Sequence, residues 1–536
     1  MRFRTGATSV VFAGALLGAL SAHAVTLNPR GMGQVLLYPY YTVNGGNDTL
    51  VSLANTTGSA KAVRVRVAEG ENGRDAASIN VYLAPFDTWT AAITRLADGT
   101  PGIVSSDDTC TLPEISTYSG SALSIGTGSL AFSDAAWTGA HADASDDPLA
   151  VRAGEGSIEA IEMGVLVATS GVDAATRRAA TGSAGACNAL YNAWVPPGFA
   201  NLVTDGSDVT PALWNQHPAA DLTNPTGGLY GTAYVVNVAR GTVFSYAATA
   251  LEDFRADPAD RPRGTTASVV MHTPSGTAQP DLSSALDDPS DGSADADVVA
   301  DGAMVRATYP AAHAIDAVTA VLTVGQADGE YTADPALGAT TSFVFSYPTR
   351  RFYTDPALAG SAAIAPFSNL FAGNRRGVVS ERLPYTSYAP DGASPLINCG
   401  VDLCANRLLS PGTSVEVLDL GAGAGAMLDS ARTMQFDGAG ASPAAFSASG
   451  RMFLAPDLAL LFPTGTDDPL PALRFMRPSS GGQAFAGLPL IAFAATNFVN
   501  ADVQGGVLAN YSAASSLRTA TSCWIYTPNG HPPHCG

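Results

Sequence analysis

The stretch QVLLYPYYTVNGGNDTLVSLANTTGSAKAVRVRVAEG, residues 34–70, decides the fold class. Gln34–Val43 is aromatic and aliphatic, Asn44-Gly45-Gly46-Asn47 is a turn signal, and Asp48–Asn55 resumes the β-favouring run. Two such runs across an Asn-Gly segment predict a hairpin. In Ala62–Ala68, Val63, Val65 and Val67 alternate with Arg64 and Arg66. Side chains change face at every residue of a strand, so this pattern predicts a half-buried strand with the arginines on the opposite face from the valines. The turn Glu69-Gly70-Glu71-Asn72-Gly73 precedes another alternating run, Ile79–Leu83, and Asp87-Thr88-Trp89-Thr90 opens a fifth strand. Strands spaced by roughly 10–15 residues, with Gly, Asn and Pro turns, predict antiparallel β-sandwich packing rather than βαβ units. The fold class expected is mainly β, with minor helices.

Further along, Ser157–Val167, Gly231–Ala239, Thr242–Ala247, Val415–Leu420, Leu473–Met476 and Phe485–Phe498 read as strands. Phe343, Phe345 and Tyr347 alternate along another. Asp173–Val195 is expected to hold a short helix before Cys187, and Ala314–Leu322 a second. Five prolines and a run of aspartates mark 253–301 as an acidic linker or loop. It divides an N-terminal β-rich domain, 25–252, from a C-terminal one, 302–536. No internal repeat is visible.

Residues 1–24 read as a secretory signal peptide. Arg2 and Arg4 give the basic region, Val10–Leu20 the apolar one, and Ala22-His23-Ala24 the small-residue cleavage site. The mature chain would begin at Val25, with no cysteine there to carry a lipid. No later apolar run is long enough to span a membrane as a helix. An outer-membrane barrel is disfavoured, since it needs lipid-facing strands throughout and usually a terminal aromatic, whereas this chain ends His534-Cys535-Gly536.

Charged residues make up only 14%, and 47 acids against 27 bases give a net charge of −20. That excludes nucleic acid and anionic membrane surfaces as expected partners, because phosphate binding needs clustered Lys and Arg. Six cysteines, Cys110, Cys187, Cys399, Cys404, Cys523 and Cys535, fit an oxidising compartment. Sequence leaves their connectivity open. The short separations Cys399/Cys404 and Cys523/Cys535 suggest local clips, with Cys110 left for Cys187.

Several phrases resemble an uncharacterised family of exported "cell surface proteins" of Gram-negative bacteria. They are GMGQVLLYPYYTVNGGNDTLVSLANTT (Gly31–Thr57), INVYLAPFDTWTAAI (Ile79–Ile93), GTAYVVNVARGTVFSYAATALEDF (Gly231–Phe254), TRRFYTDPAL (Thr349–Leu358) and GLPLIAFAATNFVNADVQGGVLANYS (Gly487–Ser512). They run the length of the mature chain in order. The resemblance implies secretion and surface association, and it carries over no catalytic residue.

Individual motifs give weak chemistry. Cys523, His531, His534 and Cys535 could bind zinc or copper, but a Cys523–Cys535 disulfide around Pro528-Asn529-Gly530 is the simpler expectation in an exported chain. The aspartates of 287–297 resemble a calcium loop, yet lack EF-hand spacing and the closing Glu, so a solvated acidic segment is preferred. Glu159/Glu162 and Asp253/Asp257 are carboxylate pairs of the kind a glycosidase uses; solvated faces explain them more simply. Gly126–Ser129 and Gly421–Gly425 lack the context of a phosphate loop and read as turns. Tyr38, Tyr40, Tyr41, Tyr82, Phe86 and Trp89 would make either a sugar-stacking platform or sandwich core, and their alternation with aliphatics favours core.

No catalytic, cofactor or metal residue is therefore assigned. The expected function is a secreted, surface-associated, non-enzymatic structural or adhesive protein, an assembly subunit being one form. Its partners would be cell-envelope components or its own copies. The alternative is an extracellular glycan-binding or glycan-hydrolysing protein.

Overall fold

Every residue of Val35–Thr42 is buried, as an uninterrupted apolar run demands of a strand covered on both faces. In the computed structural model the described residues are 24–115, 128–181, 187–194, 212–255, 269–286, 292–371, 381–394, 407–421, 426–437, 446–461, 470–500, 505, 509–526 and 533–535. The strands of the first part, in chain order, are β1 (Val25–Leu27), β2 (Val35–Thr42), β3 (Asp48–Asn55), β4 (Lys61–Glu69), β5 (Asp75–Leu83), β6 (Thr88–Arg95), β7 (Pro101–Val104) and β8 (Cys110–Leu112). They continue as β9 (Ser129–Ala131), β10 (Glu155–Leu166), β11 (Leu222–Thr223), β12 (Leu229–Asn237), β13 (Thr242–Ala247), β14 (Thr249–Glu252), β15 (Ala294–Ala300) and β16 (Ala303–Tyr309).

One sheet runs β16-β15-β1-β14-β2-β10-β4-β5-β8, with β11 also on β10. The second runs β13-β12-β3-β6-β7-β9. Strand pairing is antiparallel except for β1 with β15. The layers meet through residues of matching parity: Val63, Val65 and Val67 of β4 and Ile79 and Val81 of β5 share one core with Val51 and Leu53 of β3 and Trp89 and Ile93 of β6. This is a β-sandwich, as the spacing predicted. Pro39, which cannot donate to a ladder, falls where β10 shifts register between Gly156 and Ile158, beyond the reach of β14, which pairs only Val35–Leu37.

The predicted hairpin at 34–55 is instead an arch. Strand β2 pairs β10 and β14 in one sheet, and β3 pairs β12 and β6 in the other. A strand apolar on both faces belongs mid-sheet, so the chain leaves it by crossing to the opposite layer. Gly45 and Gly46 take φ of 61° and 80° there, and the Asn47 side chain donates to Asn44 O at 2.7 Å.

The arginine face of β4 also departs from expectation: all nine residues of the strand are buried. Residues 269–286 close over it, and Arg64 Nη2 donates to Thr273 Oγ1 and Pro274 O, both at 2.7 Å. Protein carbonyls and hydroxyls thus replace water around the guanidinium.

Beyond the acidic segment, a four-stranded sheet runs in the order Val415–Leu420, Ala339–Ser346, Ile491–Phe498, Tyr511–Ser516. Val344, Val417 and Phe493 on one face join the first core. Phe343, Phe345 and Leu418 on the other pack with Tyr331, Tyr385 and Met452 of a further sheet. One layer therefore serves two cores, and the two β-rich regions are locked together. The end of the acidic segment is itself strand: in β15, Ala294, Ala296, Val298 and Ala300 are buried while Asp295 and Asp297 alternate with them. Ala314–Leu322 is a helix, as is Gly171–Ala179, capped by Ser170 Oγ accepting from Asp173 N at 3.1 Å. A further helix, Asn188–Trp194, follows Cys187. Among the described residues no helix is long and apolar enough to cross a membrane.

Candidate functional site

The carboxylates of Glu159 and Glu162 stand on β10 with almost no exposure. Arg66 Nη1 donates to Glu159 at 2.6 Å, and Lys61 Nζ donates to Glu162 at 2.6 Å. Backbone N–H groups of Thr226 and Gly227 reach Glu162 at 3.0 and 2.7 Å. Burial pushes both acids above the usual carboxylate range, and the facing cations pull them back. This pair fastens strands together and is closed to a substrate. Asp257 of the second pair lies outside the described residues.

A larger knot of charge ties the two β-rich regions. Glu69 accepts from the backbone N–H of Glu71, Asn72 and Arg74 at 2.6, 2.9 and 3.0 Å. Arg152 donates to Glu69 at 3.1 Å and to Asp143 at 2.6 Å, and lies over the Trp137 ring at 4.8 Å. Arg74 grips both oxygens of Asp355, at 2.8 and 2.9 Å. Arg432 donates to Asp147 at 2.7 Å, and its backbone N–H reaches Glu155 at 3.0 Å. Asp355 and Arg432 lie in sequence beyond the acidic segment, so the knot bridges it. Buried ion pairs of this kind contribute little net stability but penalise any arrangement that leaves one member alone.

Tyr82, Trp194, Trp214 and His272 form a second buried cluster. Trp194 Nε1 donates to Tyr82 OH at 2.7 Å, which lies 2.9 Å from His272 Nε2. His272 Nδ1 sits 2.7 Å from Pro218 O; a carbonyl only accepts, so Nδ1 carries the proton and Nε2 accepts from the phenol. Burial lowers the His272 pKa to about 3, so the ring is neutral at physiological pH. It is a satisfied core histidine rather than a base.

Cys110 is bonded to Cys187 and Cys523 to Cys535; Cys399 and Cys404 lie outside the described residues. The sulfurs of the tail are joined, and the ring of His534 lies against Trp524 at 3.7 Å; His531 is outside the described residues. Asp287, Asp288 and Asp291 are outside them too, and Asp297 is paired with Arg306 at 2.6 Å. Among the described residues no three His, Cys, Asp or Glu side chains gather as metal ligands. Of the two glycine runs, residues 126–127 and 422–425 lie outside the described residues.

The aromatics singled out above divide clearly. Tyr38, Tyr40, Tyr41, Tyr82 and Trp89 are buried, while Phe86 is exposed. Two further exposed aromatics stand together on the outer face of the second sheet. Register places Ser245, Tyr234, Leu50, Ala92 and Val104 in one row across five strands. A parallel row holds Ala247, Thr232, Ser52 and Thr90. Tyr230 lies four residues before Tyr234, on the same face of β12. Leu50, Tyr230, Tyr234 and Val243 expose 43%, 39%, 43% and 50% of their surface. These rows contain no Lys, Arg or Glu; Asp48 and Asp107 stand at the margin. A depression of about 620 Å³ opens over Leu50, Ala92, Val104 and Tyr234.

No family model, curated protein or solved structure matches this chain.

Tyr230 and Tyr234 were missed because GTAYVVNV is apolar at both parities. Alternation reveals the strand but not which set faces out. Gly231 was the available signal: its Cα hydrogen points at Tyr38 OH and leaves no room for a Cβ. An inward glycine makes its neighbours outward.

Proposed function

We propose that this chain is an exported, surface-associated, non-enzymatic protein that adheres through the outer face of its second sheet. The observation that carries the reading is that face: two rows of apolar and hydroxyl side chains on a rigid sheet, without Lys, Arg or Glu, in a chain of net charge −20. An exposed apolar patch framed by polar groups is a common mark of an interaction site. Two disulfides support an oxidising destination, and the resemblance to exported cell surface proteins agrees with it. The buried state of Glu159, Glu162 and His272 supports a structural use of the ionisable groups.

The test compares wild type with a Leu50→Ser/Tyr230→Ser/Tyr234→Ser variant. Wild type should sediment with isolated cell envelopes and show no turnover on ester, peptide and glycoside panels. The variant should stay folded and lose at least tenfold in envelope binding. Turnover by the wild type, or retention unchanged in the variant, would refute the reading.

A further inference from the structure

We infer that the ligand of this face is an uncharged polysaccharide, an inference that rests on the adhesive reading above. Three features select it. The first is charge. Anionic glycans and phosphates are gripped by Arg and Lys, and the face has neither, on a chain that repels anions as a whole. A cationic ligand would have only the marginal carboxylates Asp48 and Asp107.

The second feature is composition. Ser52, Thr90, Thr232 and Ser245 bring hydroxyls to the same surface as the rings of Tyr230 and Tyr234. Ser52, Thr90 and Thr232 already donate to Thr232 O, Asp107 and Tyr230 OH, so they offer the hydroxyls of a sugar acceptor oxygens. A sugar ring also presents a C–H face, and tyrosine rings offer a flat apolar surface for it with a polar tip in water. Four residues of extended strand set the two tyrosines about 13 Å apart, a span that one polymer chain lying along β12 would cover.

The third feature is size. Five strands about 4.8 Å apart and four to nine residues long make a face of only about 550 Å². A stable interface with a second copy needs about 800 Å² on each partner, with an apolar centre. The face is too small and too rich in hydroxyls for that. Its depression of about 620 Å³ falls within the ~300–1,000 Å³ of small-ligand sites.

Co-sedimentation of the purified full chain with insoluble glucan, chitin and calcium alginate gel tests this, at low and at 0.5 M salt. Wild type should bind one of the two neutral polymers, with little change on adding salt, and should not bind the alginate. Tyr234→Ser should weaken binding at least tenfold, while Tyr234→Phe, which keeps the ring, should bind within about threefold of wild type. Failure to bind either neutral polymer overturns the inference. So does salt-sensitive binding to alginate, or self-association that Tyr234→Ser abolishes. If envelope retention still depends on Leu50, Tyr230 and Tyr234 in those cases, the adhesive reading stands and only the ligand class is wrong.

Discussion

Replacing Arg152 by methionine is expected to destabilise the fold by about 3–5 kcal/mol, the usual cost of removing one partner from a buried charge pair. Arg152 has no exposed surface, and neither does Glu69. Its guanidinium also holds Asp143 at 2.6 Å and lies over Trp137. Methionine fills part of the volume but takes the cation from Glu69, and leaves Asp143 and Glu71 with only Arg74 and Arg432, at 3.7 and 3.6 Å. The acids must then take up protons or drag water inside, and both cost free energy. The control is Arg451→Met, which removes a half-exposed partner from Asp328 at 3.2 Å and should cost about 1 kcal/mol or less. Urea titrations followed by tryptophan fluorescence give both values. A loss below about 1 kcal/mol for Arg152→Met would mean the knot is wet and does not bind the two regions together.

Loss of the Cys110–Cys187 bridge should have the second large effect. It spans 77 residues, so the chain-entropy relation assigns it about 4–5 kcal/mol. The same relation gives about 3 kcal/mol for the Cys523–Cys535 bridge, which spans 12 residues. The order matters more than the values. The longer bridge joins β8 to the helix-bearing cap over Tyr82 and His272, and its removal frees that cap from the sheet edge. Paired Cys→Ala variants, compared by midpoint and by ellipticity, should show the Cys110/Cys187 variant as the less stable. The reverse order would show that residual structure in the unfolded chain, rather than loop length, sets the contribution of these bridges.

What could be read from the sequence followed from local periodicity. Val63, Val65 and Val67 announced their strand and its inward face, and Ala314–Leu322 announced its helix. Asn-Gly between β-runs announced a reversal but not its kind. A hairpin and an arch use the same local residues and differ only in which distant strands flank them. The fate of Arg64 and Arg66 was likewise invisible, because their partners Thr273 and Glu159 lie 209 and 93 residues away. Asp295 and Asp297 read as a charge run, although Ala294 and Ala296, alternating with them, already carried the strand period. At the candidate face, Tyr230 and Tyr234 were written in the same apolar alphabet as the core. Only the packing of Gly231 against Tyr38 separates inside from outside.

Tyrosine-selective nitration of the native protein, read by mass spectrometry with and without isolated cell envelopes, tests the adhesive surface most directly. Tyr526, which is exposed and follows a strand that pairs with Gln483–Ala486, serves as the internal reference, and buried Tyr38, Tyr40 and Tyr41 should stay unmodified. The account predicts that Tyr230 and Tyr234 react in the free protein and are protected at least fivefold when it is bound, while Tyr526 reacts equally in both. Protection of Tyr526 with Tyr230 and Tyr234 still reactive would place the binding surface elsewhere and contradict it.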